Sequence, residues 1–507
     1  MSKKISVAVA LVGMCALSLF LLNCGSSSSR PSGVLYVLTQ GTTGQGTPGI
    51  GFNVSSFAID LNDGNLSLIN SNASTCPAAS STDNAPCGAP LDILLDLTGA
   101  TAFVLNQGVP CVQQGTQCVS GSASPVAPTI YPYTVNSDGS LSNPGTPVYW
   151  ICPSGSATPC TPQNGAYPDT AVAMVRDAAG QFLFVIDQGS YPPPGYPTPS
   201  QTNPSCPHVP TSATDVCPSI SVFAIQPSLT LESGSPFYLS KIPTALSAIT
   251  FTPSSPAGSP AQELLFVTNN EDICSQNCIF PSPHNDNTVS VYSVSSPAGV
   301  LTEQPNSPYA IAAANPISVQ AVNTNPAGED TGGLFVYVGN QGPTVGALNP
   351  FQVCWLQNAN CSQQDVAGHL MVPLATCPLL SCDIPPSSVG QNPVAMLVDP
   401  TNNFLYVVSE GSSQVFGFLI NRTVGTLTAL SPPYQPTGTS PVSMAMHPNV
   451  NSAGQALYNY NTSGQFLYTS NTVSSNITGF TLSTTSGSMS SPTTTVAPAA
   501  PSGIAVH

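Results

Sequence analysis

The feature that most constrains this chain is a four-strand pattern that returns seven times along its 507 residues. Each round opens on a short apolar run, such as Val34-Leu35-Tyr36-Val37, Phe182-Leu183-Phe184-Val185, Phe404-Leu405-Tyr406-Val407 or Phe466-Leu467-Tyr468-Thr469. Asn, Asp, Gln or Ser usually follows. A second run alternates, as in Ser55-Ser56-Phe57-Ala58-Ile59, Ser290-Val291-Tyr292-Ser293-Val294 and Val415-Phe416-Gly417-Phe418-Leu419. Period-two alternation of aromatic and β-branched residues is the mark of a half-buried strand. A Gly-bearing turn leads into a third strand, as at Asp63-Gly64, Asp138-Gly139 and Gly425. Such turns need positive φ, which Gly supplies without steric cost. A fourth strand then follows a Pro: Ile93-Leu94-Leu95, Val394 to Val398, Val442 to Met446, and finally Ile504-Ala505-Val506.

A long all-β unit repeated in tandem predicts blades, and seven blades predict a ring. The chain enters the pattern on a first strand, Val34, and leaves it on a fourth. The last strand is therefore expected to complete the first blade and latch the ring. The expected fold is all-β: a seven-bladed β-propeller over 34–507, closed by the C-terminal strand joining the N-terminal blade. Closure removes strand edges without the lysines that open sheets use against aggregation.

That economy matters, because Lys+Arg total only 6 against Asp+Glu 22, a formal net charge of −16. Nucleic-acid binding needs clustered basic side chains, and two of the six stand at Lys3 and Lys4. Lys3 and Lys4 precede an apolar stretch from Val7 to Leu22 that ends at Asn23-Cys24. This reads as an export signal over 1–23. Cys24 resembles the lipidated cysteine of bacterial lipoprotein signals, with Asn23 departing from the small residue usual before it. Residues 24–33 are a Ser-rich tether. The expected location is the cell envelope, outside the cytoplasm, with the membrane touched through a lipid anchor on Cys24.

The remaining fourteen cysteines come as near neighbours: Cys76 with Cys87, Cys111 with Cys118, Cys152 with Cys160, Cys206 with Cys217, Cys274 with Cys278, Cys354 with Cys361, and Cys377 with Cys382. In an exported chain this spacing points to local disulfides, with connectivity left open by sequence. Zinc at Cys274 and Cys278 lacks further soft ligands beyond His284, so no metal and no other cofactor is expected. Six of the pairs fall between first and second or between third and fourth strands. Those connections share one face of a propeller, which becomes the candidate recognition surface. The Tyr191 to Tyr196 loop, a stiff Pro-rich segment with two rings, falls there too.

Several segments resemble the lactonase-type seven-bladed β-propellers, a family that includes 6-phosphogluconolactonases. They are Ser235-Pro236-Phe237, Ser307-Pro308-Tyr309, Val398-Asp399-Pro400, and Pro441 to Pro448 followed by Phe466 to Asn471. The resemblance implies the fold and, for some members, lactone hydrolysis. No Gly-x-Ser-x-Gly elbow, phosphate loop or His-Glu-x-x-His stands in the chain. Polar residues near the fourth strands are few: His447, Asp92, Asp169, Asp399 and Gln320, with Asp96 and His507. His447 or Asp92 is a candidate base, without an identifiable partner. Arg176 and Asp177 read as turn residues, so the channel strands are expected to offer no basic side chain for a phosphate. The leading expectation is a binding or scaffold module acting through its stapled loop face, toward a protein, glycan or small molecule. The alternative is a hydrolase of a small lactone in the channel.

Overall fold

The computed structural model describes residues 33–40, 52–75, 89–107, 113–114, 117–118, 128–149, 171–188, 218–252, 261–272, 287–311, 315–324, 333–342, 345–354, 371–373, 389–448, 465–497 and 500–507. Among them every regular element is a strand. Seven antiparallel sheets stand radially, each four strands deep from the axis outward. In three of them the outermost strand is broken into two short pieces. The strands nearest the axis are Pro501–Val506, Pro90–Leu95, Ala171–Arg176, Lys241–Phe251, Pro316–Asn323, Pro393–Val398 and Pro441–His447, in blades 1 to 7. Each packs beside the next and the seventh beside the first, so the ring is closed.

The fourth strand of each sequence repeat therefore becomes the inner strand of the following blade. Blade 1 is the place where the two ends of the chain meet. Its three outer strands are Val34–Gln40, Phe52–Ile59 and Leu66–Ser74, and its inner strand is Pro501–Val506. Leu35 pairs with Val506 and Val37 with Ile504, antiparallel. This is the closure expected from the repeat.

The core lies between blades. Apolar side chains of adjoining sheets interleave in separate clusters, one of which holds Leu35, Val37, Phe57, Phe466, Tyr468, Ile504 and Val506. Side chains alternate across a strand, so a radial sheet presents apolar residues to both neighbours. That explains why the second strand from the axis is buried throughout: Phe404–Ser409 and Phe335–Val338 have no exposed position.

Polar stitches join four of the seven blade interfaces. Tyr36, Tyr337, Tyr406 and Tyr468 each donate a hydroxyl bond to the carbonyl of a turn glycine in the next blade: Gly139, Gly425, Gly487 and Gly64, at 2.6 to 3.0 Å. Those glycines have φ between 67° and 85°, and a Cβ on Gly64 would lie 2.4 Å from the Phe466 ring. The turn thus requires Gly twice over, for its φ and for the close approach. Replacing one such Tyr by Phe should cost about 1 kcal/mol, the net worth of a buried hydrogen bond whose carbonyl partner loses its donor. Urea unfolding of the four single variants checks this; a variant as stable as the parent would remove the stitch from the account.

The Ser-Pro-aromatic motif also has a physical role. In blades 3 and 4 the broken outer strand gaps at Ser235-Pro236 and Ser307-Pro308. The hydroxyls of Ser235 and Ser307 accept the N–H of Val222 and Val291, at 2.8 and 3.0 Å. The side chain satisfies the third strand where the outer backbone departs from it.

Candidate functional site

Every inner strand begins with the same irregularity. The register shifts by one residue just after Pro90, Ala171, Pro243, Pro316, Pro393 and Pro441, and at the matching place in Pro501–Val506. A bulge of this kind re-aims the side chains beside it. Five of the leading prolines use their carbonyls to join blades. Gln40 and Ser502 donate to Pro90, Gln188 to Pro243, Thr244 to Pro316, Ser318 to Pro393, and Thr472 to Pro501. Proline has no N–H to lose at a sheet edge, and its carbonyl stays available to the neighbouring blade.

Because the bulges coincide, the channel can be read level by level. One residue past the leading position stand Leu91, Val172, Thr244, Ile317, Val394, Val442 and Ser502. Five are aliphatic and partly exposed. One residue further stand Asp92, Ala173, Ala245, Ser318, Ala395, Ser443 and Gly503. Asp92 is the one charged and the one large side chain at that level. Asp92, Ala173, Ala245, Ala395 and Ser443 all keep exposed surface although they lie within the inner ring. The second strand covers the outer side of each and neighbouring inner strands cover the flanks, so that surface faces the axis. Small residues on six strands thus surround a single carboxylate. Below it Leu94, Val175, Gln320 and Leu397 project from the same side of their strands, two residues on.

Asp92 is held from two sides. Its Oδ1 accepts the N–H of Ile93 at 2.8 Å, and its Oδ2 accepts the N–H of Met174 in the next blade at 3.2 Å. Desolvation within the ring outweighs these two donors and pushes the carboxyl up to about 6. Such a group exchanges protons in the neutral range.

The other polar candidates have different surroundings. Asp399 sits in the turn after its inner strand, and its carboxylate accepts from Thr401 N–H and Oγ1, Asn403 N–H and Phe404 N–H. Asp96 accepts from Thr98 and Thr101, and Asp177 from Phe182 N–H, in equivalent turns. These aspartates shape the hairpin from inner to second strand. His447 occupies the same position in blade 7, buried, with its ring 6.2 Å from that of Phe466 and close against Gly33. Gln320 lies in the channel with its amide donating to the carbonyl of Ala321 at 2.8 Å. The sequence candidates therefore divide: Asp92 and Gln320 line the channel, while Asp399 and His447 sit at the opposite end of the strands. Asp169, Tyr191 and Tyr196 lie outside the described residues, as does Cys24.

One expectation is corrected. Arg176 is not a turn residue: it closes the inner strand Ala171–Arg176, pairs with Leu183, and donates to the carbonyl of Leu95. Lys241 likewise opens an inner strand, Lys241–Phe251. Inner strands thus do carry two basic residues, at opposite ends. The error has a simple cause: alternation hides a charged residue at a strand terminus, where one end of the side chain can leave the sheet.

A second acidic group was missed entirely. Glu263, on the strand Gln262–Asp272 and paired with Thr250, is pushed up to about 9 by burial and then by the charge of Asp177 across the interface of blades 3 and 4. Burial also raises Asp177, against its N–H donors and Arg176. Nothing in the local pattern Gln262-Glu263-Leu264 signals this, because the burial comes from the neighbouring blade.

Of the cysteines, Cys354 is buried after the strand Ala347–Val353 and is disulfide-bonded. Cys118 ends the short strand Gln117–Cys118. The other twelve lie outside the described residues: Cys76 and Cys87, Cys111, Cys152 and Cys160, Cys206 and Cys217, Cys274 and Cys278, Cys361, and Cys377 and Cys382. The pairings expected for them from spacing are therefore expectations still. The described strands flanking six of these sequence pairs have their facing ends where inner strands begin.

Among solved structures, this fold is similar to a candidate 6-phosphogluconolactonase of Bacteroides uniformis, with 13% identity over 94% of this chain and 100% of that one, at a TM-score of 0.51. It is also similar to the periplasmic gluconolactonase of Pseudomonas aeruginosa, with 16% identity over 94% and 99% of the two chains, at a TM-score of 0.50. No protein-family model and no curated protein matches the sequence. At these identities the likeness shows the seven-bladed propeller fold.

Proposed function

We propose that the protein hydrolyses a small uncharged lactone in the chamber around Asp92, with Asp92 as general base. The observation that carries this reading is a carboxylate held by the N–H groups of Ile93 and Met174 amid the small residues of the inner strands, with its pKa raised by burial. Fold alone does not assign activity, and the neighbours add only that this fold is found in a protein named a gluconolactonase. In the reaction the Asp92 carboxylate takes a proton from water as the water oxygen attacks the lactone carbonyl. The ring C–O bond then breaks and the proton passes from Asp92 to the leaving alkoxide, giving a hydroxy acid. Each inner strand is paired on one side only, so main-chain N–H groups face the axis. Those of Ile93 and Met174 already hold Asp92; equivalent groups on neighbouring strands are suited to the developing oxyanion.

Charge favours an uncharged substrate. The Arg176 guanidinium is engaged by Leu95, and Lys241 stands above the aliphatic level, so neither supports a phosphate beside Asp92. The test is titrimetric hydrolysis of unsubstituted δ-valerolactone against pH. The rate should rise through pH 6 as Asp92 loses its proton and level off above. Asp92→Asn, which still accepts the Met174 N–H, should lower it about 100-fold. A rate unchanged in Asp92→Asn refutes the assignment. A second reading is recognition through the face where inner strands begin, toward which the strand ends flanking six of the sequence-expected cysteine pairs lie. It takes precedence if the parent protein adds nothing to spontaneous lactone opening.

A further inference from the structure

The levels of the channel point further, to the kind of lactone, and this step rests on Asp92 being the base. We infer that the chamber takes a lactone with an apolar body, alkyl- or aryl-substituted, rather than a polyhydroxylated sugar lactone. A sugar lactone brings several hydroxyls, and each one buried without a partner costs on the order of 1–3 kcal/mol. Beyond the axial main-chain groups and the Ser443 hydroxyl, the side chains around Asp92 have little to offer them. The level above Asp92 is a collar of Leu91, Val172, Ile317, Val394 and Val442. Its two hydroxyl residues are committed elsewhere: Thr244 donates to the Pro316 carbonyl at 2.7 Å and Ser502 to the Pro90 carbonyl at 3.0 Å. At the level of Asp92, Ser318 donates to the Pro393 carbonyl. Beneath, Leu94, Val175 and Leu397 stand with Gln320, whose amide turns back on its own strand. One carboxylate between an aliphatic collar and a mainly aliphatic floor is a site for one reactive polar group on an apolar molecule.

Three compounds test this on the full chain: δ-decalactone, δ-gluconolactone, and the neutral fluorescent probe N-phenyl-1-naphthylamine. Decalactone should be turned over with kcat/KM at least about 10-fold above gluconolactone, and the Asp92→Asn variant should lose that turnover. Decalactone, and not gluconolactone, should displace the probe. The Val172→Thr/Val394→Thr double variant, which keeps side-chain volume, should weaken probe binding about 10-fold, in line with placing hydroxyls in an apolar pocket. Preference for gluconolactone overturns the inference and leaves Asp92 as base. Probe displacement by decalactone without any hydrolysis keeps the apolar site and removes the hydrolase reading. No probe binding and no decalactone turnover overturns the inference outright.

Discussion

A chain ending at residue 499 should fail to fold. The missing segment is the whole inner strand of blade 1, and all six of its residues are buried. Its loss unpairs Leu35 and Val37 and strips Ile504 and Val506 from the cluster that joins blades 7 and 1. It also removes acceptors for Ser470 and Thr472 and one of the two donors to Pro90. Two apolar side chains of this size are worth several kcal/mol by themselves, against a total stability of about 5–15 kcal/mol for a typical domain. A gap in the ring further exposes the flanks of two blades. The truncated protein should show no cooperative thermal transition by circular dichroism. The companion variant separates closure from mere length. Val34 N–H donates to the His507 carbonyl at 3.3 Å, and His507 N–H to the Val34 carbonyl at 2.7 Å. Residues 500–507 moved ahead of Gly33 and joined by an Asn-Gly turn would give blade 1 the same inner-to-second hairpin as the other six. That permutant should unfold within a few degrees of the parent. A truncated chain with a normal transition, or a permutant without one, contradicts the latch.

The latch was legible because the repeat ends in the wrong place for a simple array: a fourth strand with no first strand after it. Blade count was legible for a similar reason, since first strands such as Phe404-Leu405-Tyr406-Val407 are buried on both faces and read as unbroken apolar runs. Two strands escaped. Thr129–Val135 and Ala347–Val353 are the third strands from the axis in blades 2 and 5, and Pro132 and Pro350 sit within them. Proline inside a run argues against a central strand. Here the outer neighbour is interrupted opposite Pro132, between Leu141–Pro144 and Val148–Tyr149, so no outward donor is required. At Pro350 the outer strand Met371–Pro373 pairs only from Phe351 onward. The sequence rule holds; the missing fact is which neighbour is absent.

The site was legible only as a set of polar exceptions. Asp92, Asp399 and His447 occupy similar patterns, each one residue in a fourth strand or at its end. What separates them is position relative to the bulge. Asp92 comes two residues after its proline, at the axis, whereas Asp399 and His447 come six residues after theirs, Asp399 in the turn and His447 at the last strand position. No composition or spacing argument ranks those places without the register. The small residues that give Asp92 its space, Ala173, Ala245, Ala395 and Gly503, look like ordinary strand fillers until seven strands are aligned.

Glu263 supplies the other large expected effect, and its direction follows from the raised pKa. The folded protein holds the Glu263 proton up to about 9, against an ordinary 4.5. An unfolded chain releases it near the ordinary value. Between those limits the folded state binds one more proton, so stability falls as pH rises, by at most about 1.4 kcal/mol per pH unit. Below the unfolded value the group costs nothing, and above about 9 the loss is complete. At pH 7 the penalty reaches about 3 kcal/mol, less whatever screening its partial exposure allows. Glu263→Gln keeps the shape and removes the ionisation. It should match the parent near pH 4 and exceed it by about 2–3 kcal/mol at pH 7, with the gap widening toward pH 9. Asp92 and Asp177 are raised as well, but both remain in the variant and largely cancel in the difference. Urea unfolding of the two proteins at pH 4, 7 and 9 measures the gap. A difference that stays constant with pH, or a variant weaker than the parent at pH 9, would show that Glu263 ionises in the folded state. The account of the blade 3–4 interface as a desolvated acidic pair would then be wrong.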